Sequence, residues 1–176
     1  MLFRSQIVIL RTETRYKMFA FRTEDHNLPL INGCGQWIEH EYHADGFAVN
    51  DRGNAVSMEL KEAYANKDEI ESFARTATLA DGKVIISDKI KLVSPGNAEF
   101  FITVFNMPIK VGENLYRIAE NAVIRFPDGF DVTVETVVFE DTTFMNDWGV
   151  REIYKFRIKS AEKLESIDFT AEISRI

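Results

Sequence analysis

From residue 55 to the C-terminus, apolar and polar positions alternate with a period of two. Val56, Met58 and Leu60 oppose Ala55, Ser57 and Glu59, the pattern of a half-buried strand. Phe73, Arg75, Ala77 and Leu79 share one face of the next segment. After the turn signal Ala80-Asp81-Gly82-Lys83, Val84, Ile86, Asp88, Ile90 and Leu92 fall on alternate positions. An antiparallel hairpin is expected there, ended by Pro95-Gly96-Asn97 and followed by an apolar run over 98–105. A second hairpin is expected from 122–126 and 132–139 around Pro127-Asp128-Gly129. Residues 151–158 and 165–173 add two strands, joined by Ser160-Ala161-Glu162-Lys163. Helical spacing is convincing only over 61–67, and it is short. About a dozen strands, with turns roughly every 8–12 residues, predict an all-β fold: an antiparallel β-sandwich with one short helical turn. A barrel is the alternative.

One stretch breaks the alternation: Glu24-Asp25-His26-Asn27-Leu28-Pro29-Leu30-Ile31-Asn32-Gly33-Cys34-Gly35-Gln36. Pro29 restricts Leu28 to extended geometry and removes an amide donor, which places this strand at a sheet edge. Asn32-Gly33 tolerates positive φ and should turn the chain sharply. A histidine just before so rigid a segment has a fixed position. A metal ligand or a catalytic base needs that, and so does a structural hydrogen bond.

Composition narrows the function classes. The 176 residues suit a single domain spanning 1–176. A domain of that size buries roughly 70% of its unfolded surface, so it folds without a metal or disulfide. The net charge of −7 argues against a sequence-independent nucleic-acid binder, which needs a clustered basic face. A local basic groove remains compatible with it. Cys34 is the only cysteine, so no intramolecular disulfide forms, and no basic neighbour is spaced to activate its thiol. No apolar run approaches the ~18 residues of a membrane span. The start of the chain is too short and too quickly charged for a signal peptide, so a cytoplasmic location is expected as the sequence stands. Neither a G-x-S-x-G elbow nor a phosphate-cradling glycine loop occurs.

His26-Asn27-Leu28-Pro29-Leu30-Ile31-Asn32-Gly33 with Gln36 resembles the H-N-x-P-x-I-N-G-x-x-Q segment of the heparinase II/III-like polysaccharide lyases. Later stretches keep the family's order. Ser57-Met58-Glu59-Leu60-Lys61-Glu62-Ala63-Tyr64 resembles its D-L-x-x-A-Y stretch, Phe73-Ala74-Arg75-Thr76-Ala77 its x-x-R-x-V strand, and residues 84–90 its V-x-I-x-D-x-F strand. The resemblance implies the C-terminal β-sandwich domain of such a lyase. Family members are similar in cleaving uronic-acid polysaccharides by β-elimination, with the catalytic tyrosine on an N-terminal α/α toroid. Their H-N histidine joins an upstream H-x-D-x-N-S-F element and a D-x-G element in holding zinc. Of that set only His26 is matched, since residues 1–25 contain no other histidine. One histidine is too few for zinc, which takes about three protein ligands in an open site. The expectation is therefore a domain with no catalytic residues of its own and no cofactor, forming an accessory wall of a glycan cleft. Its partners would be an acidic polysaccharide or oligosaccharide and either a helical toroid domain or a second copy in a homodimer, with no nucleic acid and no membrane. The family is often periplasmic or secreted.

On that reading the candidate substrate contacts are His26, Asn27, Gln36, Trp37, Tyr42 and Arg75, with His26 also the candidate metal ligand. Each has a plainer alternative: turn chemistry for His26, Asn27 and Asn32, a strand cap for Gln36, and core packing for Trp37, Tyr42, Tyr64 and Trp148. Arg75 is placed to pair with Asp88 across the first hairpin or to clamp a substrate carboxylate. His40 and His43 miss the H-E-x-x-H spacing by one residue and, on a strand, would face opposite sides. A stand-alone carbohydrate-binding module using Trp37, Tyr42 or Trp148 is the second reading. A small enzyme rebuilt around His26, His40 and His43 is the third.

Overall fold

Two antiparallel sheets face each other across a core of phenylalanine rings. The structure, a computed structural model, describes residues 22–37, 39–140 and 142–176. Its strands are β1 (Leu30–Ile31), β2 (Asp45–Val49), β3 (Ala55–Glu59), β4 (Ile70–Ala80), β5 (Lys83–Gly96), β6 (Ala98–Val104), β7 (Ile109–Gly112), β8 (Leu115–Ala119), β9 (Ala122–Arg125), β10 (Phe130–Val138), β11 (Glu152–Ser160) and β12 (Leu164–Arg175). Helix α1 (Thr142–Trp148) precedes β11. The smaller sheet runs β1-β6-β11-β10 and the larger β2-β3-β4-β5-β12-β9-β8-β7. The predicted sandwich is present.

The β4–β5 hairpin forms in the expected register, with Arg75 opposite Asp88 and Phe73 opposite Ile90. Its turn needs positive φ at both central residues, and Asp81 (51°) and Gly82 (74°) supply it. Pro29 precedes an edge strand, as its missing donor requires. The turn after β1 uses Asn32 at φ 51° and Gly33 at φ 78°.

The expected second hairpin does not exist. β9 lies between β8 and β12 in the larger sheet, while β10 pairs with β11 in the smaller one. Residues 127–129 carry the chain from one sheet to the other. That crossing is held from the side: Asn114 donates to the Pro127 carbonyl, and the Ala161 amide donates to the Gly129 carbonyl. Two adjacent residues of β9, Val123 and Ile124, are both buried, so this strand is enclosed on both faces. β11 and β12, adjacent in sequence, are likewise in different sheets.

Two further expectations need correction. Residues 61–69 form two separate 3-10 turns, Lys61–Ala63 and Lys67–Glu69, rather than one helical turn. The glutamate–histidine stretch is not a strand. Residues 39–41 turn, the Tyr42 amide bonding the Glu39 carbonyl, and the His43 amide bonds the Glu62 carbonyl before β2 begins.

Between the sheets Phe100 of β6 stacks on Phe169 of β12 with centroids 3.9 Å apart, and Phe130 meets both edge-on. Phe126 and Phe156 join at 5.0 Å. Such ring pairs add roughly 0.5–1.5 kcal/mol each beyond the area they bury. Alternation puts Phe100 and Phe156 in this core and turns Phe101, Ile153 and Lys155 to the outer face of the smaller sheet. Those three are also buried, so the outer face carries its own cover.

Candidate functional site

The segment 22–37 crosses one edge of the sandwich and is fastened at several points. A 3-10 turn, Thr23–Asp25, leads into His26 and Asn27. Asn27 adopts φ 56°, a conformation in which asparagine is well tolerated. β1 pairs with β6 only at Leu30–Glu99 and Ile31–Ala98, so the upper part of β6 lacks a neighbour on that side. The Asn27 Oδ1 takes its place and accepts the Thr103 amide at 2.9 Å. The Asn27 carbonyl accepts from Arg75 Nη1 at 2.9 Å. Tyr64, fully buried, donates its hydroxyl to the Pro29 carbonyl at 2.8 Å, and burial pushes its phenol well above the usual range, so it stays a neutral donor. Asn32 bonds Asn97 through both main chain and side chain. Asn32 and Asn66 both donate to Glu69 and hold its carboxyl below the usual value.

Two buried carboxylates secure the turn from opposite sides. Asp25, with no side-chain exposure, accepts from Arg22 Nε at 2.7 Å and Nη2 at 3.1 Å, and from the buried Lys155 ammonium. Burial pushes this carboxyl up, but the hydrogen bonds and charges of the two cations outweigh it, and it lies below its ordinary value. Asp88, its side chain likewise unexposed, receives a two-point contact from Arg75 Nε and Nη2, each at 2.6 Å. Here burial is the larger influence and the carboxyl lies above its ordinary value. The paired role foreseen for Arg75 and Asp88 is what the structure contains. Arg75 is committed to the interior through Nε, Nη1 and Nη2.

His26 ends exposed at this fixed turn, and Asn27 is half-buried behind it. Gln36 bonds through its backbone, its amide donating to Thr23 Oγ1 at 2.8 Å, and forms an isolated bridge with Tyr64. Trp37 is 51% exposed, with its amide on the Ala63 carbonyl. Tyr42 is half-buried beneath the Lys67 ammonium, 5.0 Å from its ring centre. Gln36, Trp37 and Tyr42 therefore lie against residues 61–67, while His26 and Asn27 sit at the turn before β1. His40 is exposed, and His43 faces Asp45 at 3.3 Å and the Glu41 carbonyl at 3.1 Å. Cys34 is half-buried and bridged to Ile31. Trp148 sits apart on α1, against Phe105 and Phe139.

Among the described residues no three histidine, cysteine, aspartate or glutamate side chains converge on one point. The carboxylate next to His26, that of Asp25, is already enclosed by Arg22 and Lys155. What the arrangement offers is a rigid, polar surface with an exposed imidazole and an exposed indole.

Sequence reading overlooked the charged cluster on the outer face of the smaller sheet: Arg22, Asp25, Glu135, Lys155 and Arg157. A signal was present. Lys155, Arg157 and Lys159 put three cations on alternate positions of one strand, hence on one face.

No protein-family model and no curated protein sequence matches the chain. Solved structures do. Heparan sulfate lyase HepC from Pedobacter heparinus superposes over 97% of this chain with a TM-score of 0.60 at 11% identity, and a mutant of it with 0.62. A heparinase III structure covers 96% with a TM-score of 0.65 at 9% identity. The fold is shared with heparan sulfate lyases. The chain spans 26% of the length of each of these structures, so the likeness is to one part of them. At such identity the lyase likeness establishes the architecture.

Proposed function

We propose that this chain is the β domain of a polysaccharide-lyase-like protein and forms one wall of a cleft for an acidic glycan. The observation that carries this reading is the structural match, across nearly the whole chain, to part of the heparan sulfate lyases. The His26–Asn27 turn supports it, because an exposed imidazole on so constrained a backbone is suited to meeting a substrate. On this proposal His26, Asn27, Gln36, Trp37 and Tyr42 form the glycan-facing strap. Arg75 is a positioning residue, acting through the Asn27 carbonyl. The chain is proposed to be inactive by itself, its partner being a helical domain or a second copy.

β-Elimination leaves a 4,5-unsaturated uronate, which absorbs in the ultraviolet. Incubation of the purified chain with heparin, heparan sulfate or alginate is expected to give no rise in absorbance near 232 nm. Clear product formation removes the accessory reading. The second reading, a carbohydrate-binding module, is favoured by the exposure of Trp37. Glycan arrays showing saturable binding that Trp37→Ala abolishes would establish it over the first.

A further inference from the structure

The outer face of the smaller sheet holds a second arrangement beside the strap. An open cavity of about 270 Å³ is lined by Arg22, Glu24, Phe101, Glu135, Lys155 and Arg157, among others. Pockets for drug-sized ligands run from about 300 to 1,000 Å³, so this one suits a single small ring. Its cations already have partners. Arg22 and Lys155 meet Asp25, Arg22 also meets Glu24 at 3.5 Å, and Arg157 meets Glu99 at 2.9 Å. Glu135 lines the same cavity, and its negative charge acts on both Arg22 and Arg157. Three cations thus stand against the carboxylates of Glu24, Asp25, Glu99 and Glu135. An anionic ligand would have to displace a carboxylate from each guanidinium and would still face net negative charge. Vicinal hydroxyls suit the lining better. Each hydroxyl both donates and accepts, so carboxylate oxygens take its proton while guanidinium N–H groups meet its lone pairs.

An aromatic surface lies further along the same face. The Phe139 amide donates to the Arg151 carbonyl at 2.9 Å, so the β10–β11 ladder continues one pair past Val138. Glu135, Val137 and Phe139 therefore share the outer face, with ~13 Å between the first and the last. Trp148 meets Phe139 edge-on at 5.9 Å and Phe105 at 5.9 Å. Phe105 is 58% exposed and Trp148 39%. Each of these two rings thus keeps part of its apolar surface in water, Trp148 against the buried Phe139, and such surface suits the C–H face of a sugar.

We propose that this face binds a neutral oligosaccharide, with one uncharged hexose ring in the cavity of Arg22, Glu135 and Arg157 and a following ring stacked on Phe105 and Trp148. The inference rests on the glycan-wall reading and adds an uncharged subsite to it.

Isothermal titration of the full chain with neutral trisaccharides (cellotriose, mannotriose, maltotriose) and with alginate-derived uronate trisaccharides tests it. Saturable binding of at least one neutral trisaccharide is expected, little changed between about 50 and 500 mM salt because no net charge is exchanged. Glu135→Gln should weaken it by about tenfold, the equivalent of one charge-assisted hydrogen bond. Trp148→Ala, read beside near-UV circular dichroism to confirm folding, should weaken it by a similar factor, about tenfold. Tighter binding of uronates than of every neutral sugar overturns this inference and leaves the acidic-glycan wall standing. So does neutral binding unmoved by either substitution. Failure of every neutral trisaccharide to bind overturns it as well.

Discussion

Asp25 and Asp88 flank the same turn with no exposed side chain, and differ in depth and in the number of cations that hold them. Asp25 has Arg22 and Lys155; Asp88 has Arg75 alone. Taking a carboxylate out of water costs several kcal/mol, and one guanidinium in ideal two-point geometry leaves the Asp88 carboxyl above its ordinary value. At Asp25, less deeply buried and held by two cations, the direction is reversed. A buried ion pair is thus a position-setting device before it is a source of stability. The two pairs set the position of His26 and Asn27 from the outer and the inner side of the sandwich.

The largest expected effect comes from removing the Asp25 carboxylate. Asp25→Asn should lower unfolding free energy by about 3–5 kcal/mol, because it leaves two cations facing each other, and Asp88→Asn by less, because burial already disfavours the Asp88 charge. Urea unfolding measures both. The pair Arg75→Met with Asp88→Leu should lose less than Asp88→Asn alone, because no charge is left buried. A double variant as unstable as the sum of its parts would break the account.

Acid separates the two sites by sign. A carboxyl held below its ordinary value adds stability that is complete above 3.8 and fades as pH falls below it, which is the case of Asp25. A carboxyl held above it adds stability that is complete below 3.8 and fades as pH rises, which is the case of Asp88. The advantage of the wild type over Asp25→Asn should therefore shrink on acidification below that value. Its advantage over Asp88→Asn should grow as pH falls toward it. Parallel slopes in a series of urea midpoints from neutral to acid pH would remove the distinction.

Smaller effects sharpen the picture of the turn between them. Asn27→Ala loses the acceptor for the Thr103 amide and places alanine at positive φ, for a cost of about 1–3 kcal/mol. Asn27→Asp keeps the acceptor and should cost less. Tyr64→Phe leaves the Pro29 carbonyl without its donor, at about 1 kcal/mol by thermal or urea unfolding. Trp37→Ala, on the exposed strap, should stay within about 0.5 kcal/mol of wild type.

The β4–β5 hairpin and the edge placement of β1 were legible because each is decided locally, by Asp81-Gly82 and by Pro29. The route of β9 and β10 was not. Pro127-Asp128-Gly129 bends a chain equally well between paired strands and between sheets, and what decides the matter here is contact with Asn114 and Ala161, distant in sequence. The difference in pattern was nonetheless visible, since 122–126 is nearly continuous in apolar residues while 132–138 alternates. Of the candidate site, the Arg75–Asp88 pair followed from register alone. Lys155 did not, because a lysine on an outward strand position ordinarily reaches water, whereas here its ammonium meets the buried Asp25 carboxylate.

β1 is two residues long. The strap from Arg22 to Trp37 is consequently fastened to the sandwich by pegs, most of them single side chains: Asn27 on Thr103, Tyr64 on Pro29, Asn66 on Ile31, Asn32 on Asn97. Pegs of this kind release together once a few have slipped. The amides of Ile31, Cys34 and Gln36 belong to such a unit, and they should exchange with solvent deuterium as a group, ahead of those in β5 or β12. A ligand that settles on His26 would then declare itself across the whole strap, as slowed exchange at residues it never touches.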